Sequence, residues 1–158
     1  MLFMNAYAPY RTPATRSPYS HAACYIGDGY IVKSDWGGVH IVDLLNKYKN
    51  TETDVYRHIL QGYEENYMKK VVNWMCHKSG LGYDYGGLVG IALSLINRPK
   101  CGCNPYDDKD KYWCSELVAD GYNFNRYPTD FDVDTWKVSP ADFSNSRFFS
   151  YVGSLRLS

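Results

Sequence analysis

The chain has 158 residues, which is enough for one domain with a hydrophobic core. Its composition, 45% apolar and 22% charged, is typical of a globular protein. The 17 basic side chains balance the 17 acidic ones, so no net charge is left that would favour an anionic membrane or an acidic substrate, and we expect no nucleic acid as the partner.

The N-terminal region has no pattern of regular structure or targeting. Residues 1–19 are rich in Pro, Arg and Ser, so we expect an irregular segment, and they lack the apolar stretch of a secretory signal. The longest apolar stretch, Leu88 to Ile96, is too short for a transmembrane segment. The five Cys form an odd set without the density of a disulfide scaffold, which favours free thiols in a reduced compartment, the cytoplasm or a virion.

The first predicted elements form a β-hairpin. His21–Ile26 is typical of a short buried strand, Gly27–Gly29 tolerates the positive φ of a tight turn, and Tyr30–Ser34 returns as the second strand. The pattern then predicts a strand over Val39–Val42, a short helical turn over Asp43–Tyr48 and a strand over Asp54–Ile59.

The middle of the chain changes to a helical period. An i, i+3, i+4, i+7 pattern predicts an amphipathic helix over Glu64–Lys78, closed by Gly80. A second, more apolar helix is expected over Gly86–Asn97, then a polar loop over Cys101–Tyr112 and a helix over Cys114–Phe124. The tail predicts one or two short strands between Phe131 and Leu157.

Strands and helices therefore cluster along the chain instead of alternating. This arrangement favours an α+β fold with an antiparallel sheet, in a single domain over residues 1–158.

One cysteine is placed for chemistry. Cys114 opens a predicted helix, where unpaired N–H groups and the helix dipole stabilise a thiolate, so we expect a lowered pKa for this thiol. An imidazole that accepts its proton would make it a nucleophile, and His21, at the entry of the first hairpin strand, is the candidate base. The alternative for either residue is a purely structural role, and for Cys24, within a strand, packing is the favoured interpretation. We expect structural or surface roles for His58 and His77.

Metal and cofactor sites are not indicated. The spacing of Cys101 and Cys103 is shorter than that of zinc ligands, and Gly86-Gly87 lacks the ending of a phosphate-binding loop. We therefore expect no metal and no cofactor.

The segment from His21 to Val32 resembles the strand pair of the circularly permuted NlpC-type papain-like cysteine peptidases and amidases, the YiiX-like group. Further motifs of that family follow in the family's order: Val55-Tyr-Arg57, Gly82-Tyr-Asp84, Trp113-Cys-Ser-Glu-Leu-Val118 and Val138-Ser-Pro-Ala-Asp-Phe143. The resemblance covers roughly residues 20–152. It implies a permuted papain-like fold, in which an antiparallel sheet or small barrel packs against a helical layer that carries the cysteine helix.

The resemblance also implies roles for residues. Cys114 would be the nucleophile and His21 the general base of a hydrolase that cleaves an amide, peptide or related acyl bond, with cell-wall peptides as one substrate class. At the position where the family usually carries a Glu or His that orients the imidazole, this chain has Lys33, which cannot accept a hydrogen bond. A turn over Gly27–Gly29 would place Asp35 opposite His21, and His40 on the next strand is the other candidate. A two-residue turn would instead bring Ser34 and Trp36 to the His21 face.

Two other functions remain open alongside a cysteine hydrolase. One is a catalytically inactive scaffold used for binding or as a component of a larger assembly, such as a phage particle, which the presence of Lys33 favours. The other is an acyltransferase or thioesterase. The partner is a peptide or acyl-bearing substrate in the enzymatic interpretations and a larger protein assembly in the scaffold interpretation.

Overall fold

The computed structural model of the chain describes residues 2–5, 19–60, 66–86, 108, 110–131 and 133–156. Eight strands and four α-helices lie within these ranges. The strands are β1 (Leu2–Asn5), β2 (His21–Gly27), β3 (Tyr30–Asp35), β4 (Gly38–Asp43), β5 (Glu52–His58), β6 (Gly82–Tyr83), β7 (Lys111–Tyr112) and β8 (Phe149–Arg156). The helices are α1 (Leu44–Tyr48), α2 (Tyr67–His77), α3 (Cys114–Phe124) and α4 (Pro140–Asn145), with a 3₁₀ turn over Thr135–Lys137.

Six strands form one antiparallel sheet in the order β4-β3-β2-β1-β5-β8, and β6 and β7 form a small parallel pair. The fold is therefore α+β with a predominantly antiparallel sheet, as the clustering of the elements predicted.

The β2–β3 hairpin combines the two turn geometries considered from the sequence. Gly27 pairs with Tyr30 across a two-residue turn, and Asp28 and both flanking glycines have positive φ. The register shifts between Tyr25 and Gly27, so that Ala23 lies opposite Lys33. This bulge restores the register that brings Asp35 to the level of His21.

One face of the sheet packs against α2 and α3. The core there contains side chains of alternate residues of β2 and β3, such as Cys24 and Val32, together with Val71, Leu117 and Phe143 from the helices. The other face is smaller and is covered by α1, whose Tyr48 packs with Ala23, Ile31 and Val55. Helix α3, which begins at Cys114, packs against β2 and β3.

The free edge of the sheet at β4 is covered by the chain that follows α2. Val39 donates to Leu81 O at 2.8 Å, and Gly80 donates to Val39 O at 2.8 Å. Gly38 has a φ of +86°, and a Cβ there would lie 2.2 Å from Leu81 O, so this approach requires glycine.

The structure confirms most of the predicted elements. The strands at His21, Tyr30, Val39 and Asp54 and the short helix before Tyr48 all form, and the helix predicted over Cys114–Phe124 has these bounds. The amphipathic helix is observed over Tyr67–His77, and residues 61–65 lie outside the described residues. Most of the apolar helix predicted over Gly86–Asn97 also lies outside them.

Three expectations need correction. Residues 1–19 are not irregular throughout, because Leu2–Asn5 forms a strand between β2 and β5. The polar loop predicted up to Tyr112 ends in β7. The strand prediction for the tail is confirmed by β8, but helix α4 in the same segment was not predicted; this helix begins with Pro140, and the Asp142 carboxylate accepts from the Ser139 backbone N–H at 2.7 Å.

Candidate functional site

A cavity of about 450 Å³ opens where β2, β3, α1 and α3 meet. Residues far apart in the chain line it, and they include both members of the predicted Cys–His pair. The lining residues are Ser20, His21, Lys33, Ser34, Asp35, Trp36, Lys47, Tyr83 and Cys114.

Cys114 is the first residue of α3 and is only 4% exposed. The helix start is held in place on both sides of the cysteine. The Glu116 carboxylate accepts from the Trp113 backbone N–H at 3.2 Å, and the Ser115 hydroxyl donates to Val138 O at 2.7 Å. These bonds fix the direction in which the sulfur leaves the helix.

Several hydrogen-bond donors surround the sulfur of Cys114. They are the backbone N–H groups of Ala22, Ser115 and Cys114. Burial nevertheless raises the pKa of the Cys114 thiol, and these donors offset the rise only in part. The sequence prediction of a lowered pKa is therefore wrong in sign, because the cost of burying the thiolate exceeds the stabilisation at the helix start.

Ala22, whose backbone N–H donates to the sulfur of Cys114, is the neighbour of His21 in the chain. Ala22 follows His21 directly in β2, so the strand that donates to the sulfur also carries the imidazole. Within the described part of the chain, His21 Nε2 is buried without a hydrogen-bond partner. Burial, reinforced by the Lys33 ammonium, lowers the pKa of His21 to about 3. At neutral pH the imidazole is therefore uncharged.

The predicted orienting residues belong to a network beside His21. Asp35 lines the cavity and forms an ion pair with Lys33, while its other oxygen accepts from the Gly37 N–H at 3.1 Å. Burial opposes ionisation of Asp35, but the Lys33 ammonium and the Gly37 N–H outweigh it and hold the pKa at about 2. His40 Nε2 lies 3.5 Å from Asp35 Oδ1, and its Nδ1 lies 2.8 Å from Gly38 O. The cavity therefore brings together Cys114, His21 and Asp35, whereas His40 contacts Asp35 from outside the lining.

Lys33 and Lys47 make the chemistry of this network unusual. The Lys33 side chain is 2% exposed, and its ammonium lies 5.9 Å from the centre of the Tyr48 ring. Lys47, from α1, lies 3.7 Å from the same Asp35 carboxylate and is 41% exposed. Reasoning from the sequence missed Lys47, since a lysine in a short surface helix has no distinguishing pattern.

Trp36 and Tyr83 line the cavity and Tyr85 packs against both rings; we call these three residues the aromatic mouth. Trp36, which is 75% exposed, lies with its ring centre 5.7 Å from that of Tyr83 and 5.4 Å from that of Tyr85. The Tyr85 hydroxyl donates to Trp36 O at 3.1 Å and so joins the β3–β4 turn to the segment after β6. Burial, with the nearby Cys114, raises the pKa of Tyr83, which keeps its hydroxyl neutral. The sequence indicated two of these residues, Trp36 as an alternative on the His21 face and Tyr83 within the Gly82-Tyr-Asp84 motif, but not Tyr85.

The remaining described cysteines and histidines lie away from the cavity. Cys24 is fully buried in the core, as the packing interpretation predicted, and Cys76 is a partly buried free thiol in α2. His58 is buried and hydrogen-bonded on both ring nitrogens, and His77 Nδ1 lies 2.6 Å from Asn73 O. The structural role expected for His58 is confirmed. Cys101 and Cys103 lie outside the described residues.

The arrangement supplies the parts needed for acyl transfer. A thiol stands at a helix start with several N–H donors beside it, and an imidazole with a free ring nitrogen lines the same cavity. These groups match a nucleophile, a base and donors to an oxyanion.

Among the residues that the structure describes, no helix is long and apolar enough to cross a membrane. No family model matches the chain. The chain is similar to the probable lipoprotein peptidase YaeF of Escherichia coli (strain K12). The two sequences are 23% identical over an alignment of 173 positions, which covers 89% of this chain and 62% of that protein. It thus spans less than two thirds of its relative's length. This similarity supports a distant relationship to a peptidase.

Proposed function

We propose that this protein is a cysteine hydrolase with a permuted papain-like fold that cleaves a peptide, amide or related acyl bond, with Cys114 as nucleophile and His21 as general base. The observation that carries the proposal is that one cavity is lined by the cysteine at the start of α3 and the histidine at the start of β2. The similarity to a probable lipoprotein peptidase supports the same class of reaction.

The reaction follows from the groups in the cavity. His21 accepts the proton of the Cys114 thiol as the sulfur attacks the substrate carbonyl carbon, and the carbonyl oxygen becomes an oxyanion. The backbone N–H of Cys114 stabilises that oxyanion. The oxyanion collapses, the bond to the leaving group breaks, and His21 donates its proton to the leaving nitrogen or oxygen. Water then attacks the thioester with His21 as base, and the carboxylic acid product leaves as the thiol is restored.

The resting enzyme contains a neutral thiol and a neutral imidazole. The pKa of Cys114 is raised and that of His21 is lowered, so proton transfer between them is unfavourable before substrate binds. The developing oxyanion and any negative charge on the substrate favour the imidazolium in the transition state. The chain therefore resembles a general-base system more than a preformed thiolate–imidazolium pair.

A two-substrate assay tests the proposal. We expect the wild-type protein to hydrolyse 4-nitrophenyl acetate or members of a fluorogenic peptide library, and Cys114→Ala and His21→Ala to lose this activity while keeping their folded circular-dichroism spectra. A matched variant, Cys24→Ala, removes a buried thiol outside the cavity and is expected to keep the activity. Equal turnover by the wild type and Cys114→Ala would contradict the proposal.

A second function, a catalytically inactive binding scaffold, is favoured by one specific observation. Lys33 stands where the resembling family carries an acceptor for the imidazole, and it lowers the pKa of His21. In that case Cys114→Ser would leave partner binding intact, and the wild type would hydrolyse neither the ester nor any peptide of the library.

A further inference from the structure

The cavity contains more positive than negative charge. Its ionised lining groups are the ammonium groups of Lys33 and Lys47 and the carboxylate of Asp35, while burial keeps His21 and Cys114 neutral at neutral pH. Two ammonium groups share one carboxylate, so the described lining residues carry one net positive charge. The neutral net charge of the whole chain conceals this local excess.

The position of the excess charge matters for substrate binding. Lys33 is buried and held by Asp35, whereas Lys47 lines the cavity 3.7 Å from Asp35 with a side chain that is 41% exposed. Both lysines flank His21, whose protonation they oppose. A negative group bound next to Lys47 would balance the charge and remove part of the opposition to protonating His21.

We infer that the cavity selects substrates that carry a carboxylate close to the scissile carbonyl. Lys47 is the specificity-determining residue, and Lys33 and Asp35 position the Lys47 ammonium. The inference rests on the proposed function, since it assigns the substrate class of the same site. A single excess charge matches a monoanion, and the cavity of about 450 Å³ accommodates a carboxylate beside the acyl group.

Two alkylating reagents of nearly equal size test the inference without any need for turnover. Iodoacetate carries a carboxylate and iodoacetamide a neutral amide; with either reagent the Cys114 sulfur displaces iodide to form a carbon–sulfur bond, and the thiol proton passes to His21 or to water. The ratio of their rates cancels changes in the nucleophilicity of the sulfur, which either lysine also affects. We expect this ratio at Cys114 to exceed that of N-acetylcysteine by about tenfold at low ionic strength, since one net positive charge acts at short range.

Two lysine substitutions, one in α1 and one at its C-terminal end, provide the test and its control. Lys47→Gln should lower the ratio about threefold or more, and Lys49→Gln, which removes the same charge from an exposed residue outside the cavity, should leave it unchanged. A wild-type ratio equal to that of N-acetylcysteine, or equal losses in both variants, would overturn the inference. Absence of ester and peptide hydrolysis would instead contradict the proposed function, so the two failures are distinguishable.

Discussion

Two regions of the molecule each contain a buried cysteine and a histidine with a buried ring nitrogen, and only one of the two regions opens into a cavity. In the aromatic core, His58 Nδ1 lies 2.7 Å from the Tyr67 hydroxyl and Nε2 lies 2.9 Å from Pro128 O, and Cys24 packs in the same core. At the cavity, His21 Nε2 has no partner within the described residues and Cys114 lines an open space. Burial lowers the pKa of both histidines and raises the pKa of both thiols.

Burial alone therefore does not separate structural groups from reactive groups. His58 uses its ring nitrogens to satisfy backbone and side-chain groups, so its removal would leave those groups unpaired. A buried ring nitrogen that faces a cavity has capacity left for a substrate or a proton. The comparison predicts opposite consequences for matched substitutions in the two regions.

The largest expected effect is on the cysteines. Cys114→Ala should lower hydrolysis by about a thousandfold or more, because the covalent route is lost. Cys24→Ala should keep activity and lower the free energy of unfolding by about 1 kcal/mol through the space left in the core. Steady-state rates and urea unfolding of both variants provide the measurement. If a fully folded Cys24→Ala variant lost activity, the distinction between a structural Cys24 and a reactive Cys114 would be wrong.

Substitution of the two histidines should likewise affect activity at the cavity and stability in the core. His21→Ala should lower kcat by about a hundredfold, a typical contribution of general-base catalysis, with little loss of stability. His58→Ala should lower the free energy of unfolding by about 3 kcal/mol, since it opens a cavity and leaves two partners unpaired. Thermal unfolding and ester hydrolysis distinguish the two effects. A destabilised His21→Ala with unchanged kcat would assign His21 a structural role.

The pH dependence of stability sharpens the comparison further. His21 titrates at about 3 in the folded chain and near 6.5 when unfolded, so the unfolded state binds more protons between these values. The free energy of unfolding should therefore fall as the pH falls from about 6.5 toward 3, and His21→Gln should flatten this slope. Asp35 contributes its own loss only below about 3.8, where its carboxyl begins to protonate in the unfolded chain. Parallel wild-type and variant slopes in urea titrations would argue against a buried neutral His21.

The smallest effect is expected for the aromatic mouth. Trp36→Ala should lower kcat/KM about threefold, because an exposed ring that lines the cavity is lost, and should leave stability unchanged. Phe143→Ala, in the closed core, should lower the free energy of unfolding by about 3 kcal/mol. Equal stability losses in both variants would remove the distinction between the two regions.

Much of the scaffold was predictable from local sequence. The hairpin from His21 followed from its strand pattern and its glycines, and the start of α3 at Cys114 followed from the helical period after Trp113. The short strands were not predictable in this way, because Gly82–Tyr83 and Lys111–Tyr112 have no local strand signal and depend on each other for pairing. Helix α4 was not predicted, because the alternation of apolar and polar residues in the tail favours strands. Pro140 and Asp142, which are typical of a helix start, were given less weight than that alternation.

The sequence predicted which residues form the candidate site better than it predicted their pKa values. Residue types and order indicated His21 and Cys114, and the register of the hairpin indicated Asp35 as an alternative. The pKa directions were not accessible, because they depend on burial and on Lys33 and Lys47, whose positions follow from tertiary packing. A helix start favours a thiolate only while the sulfur remains hydrated.

The alkylation rate of Cys114 by iodoacetamide, followed by peptide mass spectrometry at neutral pH, tests the pairing of sulfur and imidazole most directly. The account predicts that Cys114 is modified while Cys24 stays protected, and that His21→Ala slows modification of Cys114 by about tenfold or more through loss of the base. Modification of Cys114 that is as slow as that of Cys24, or that is unchanged in His21→Ala, would contradict it.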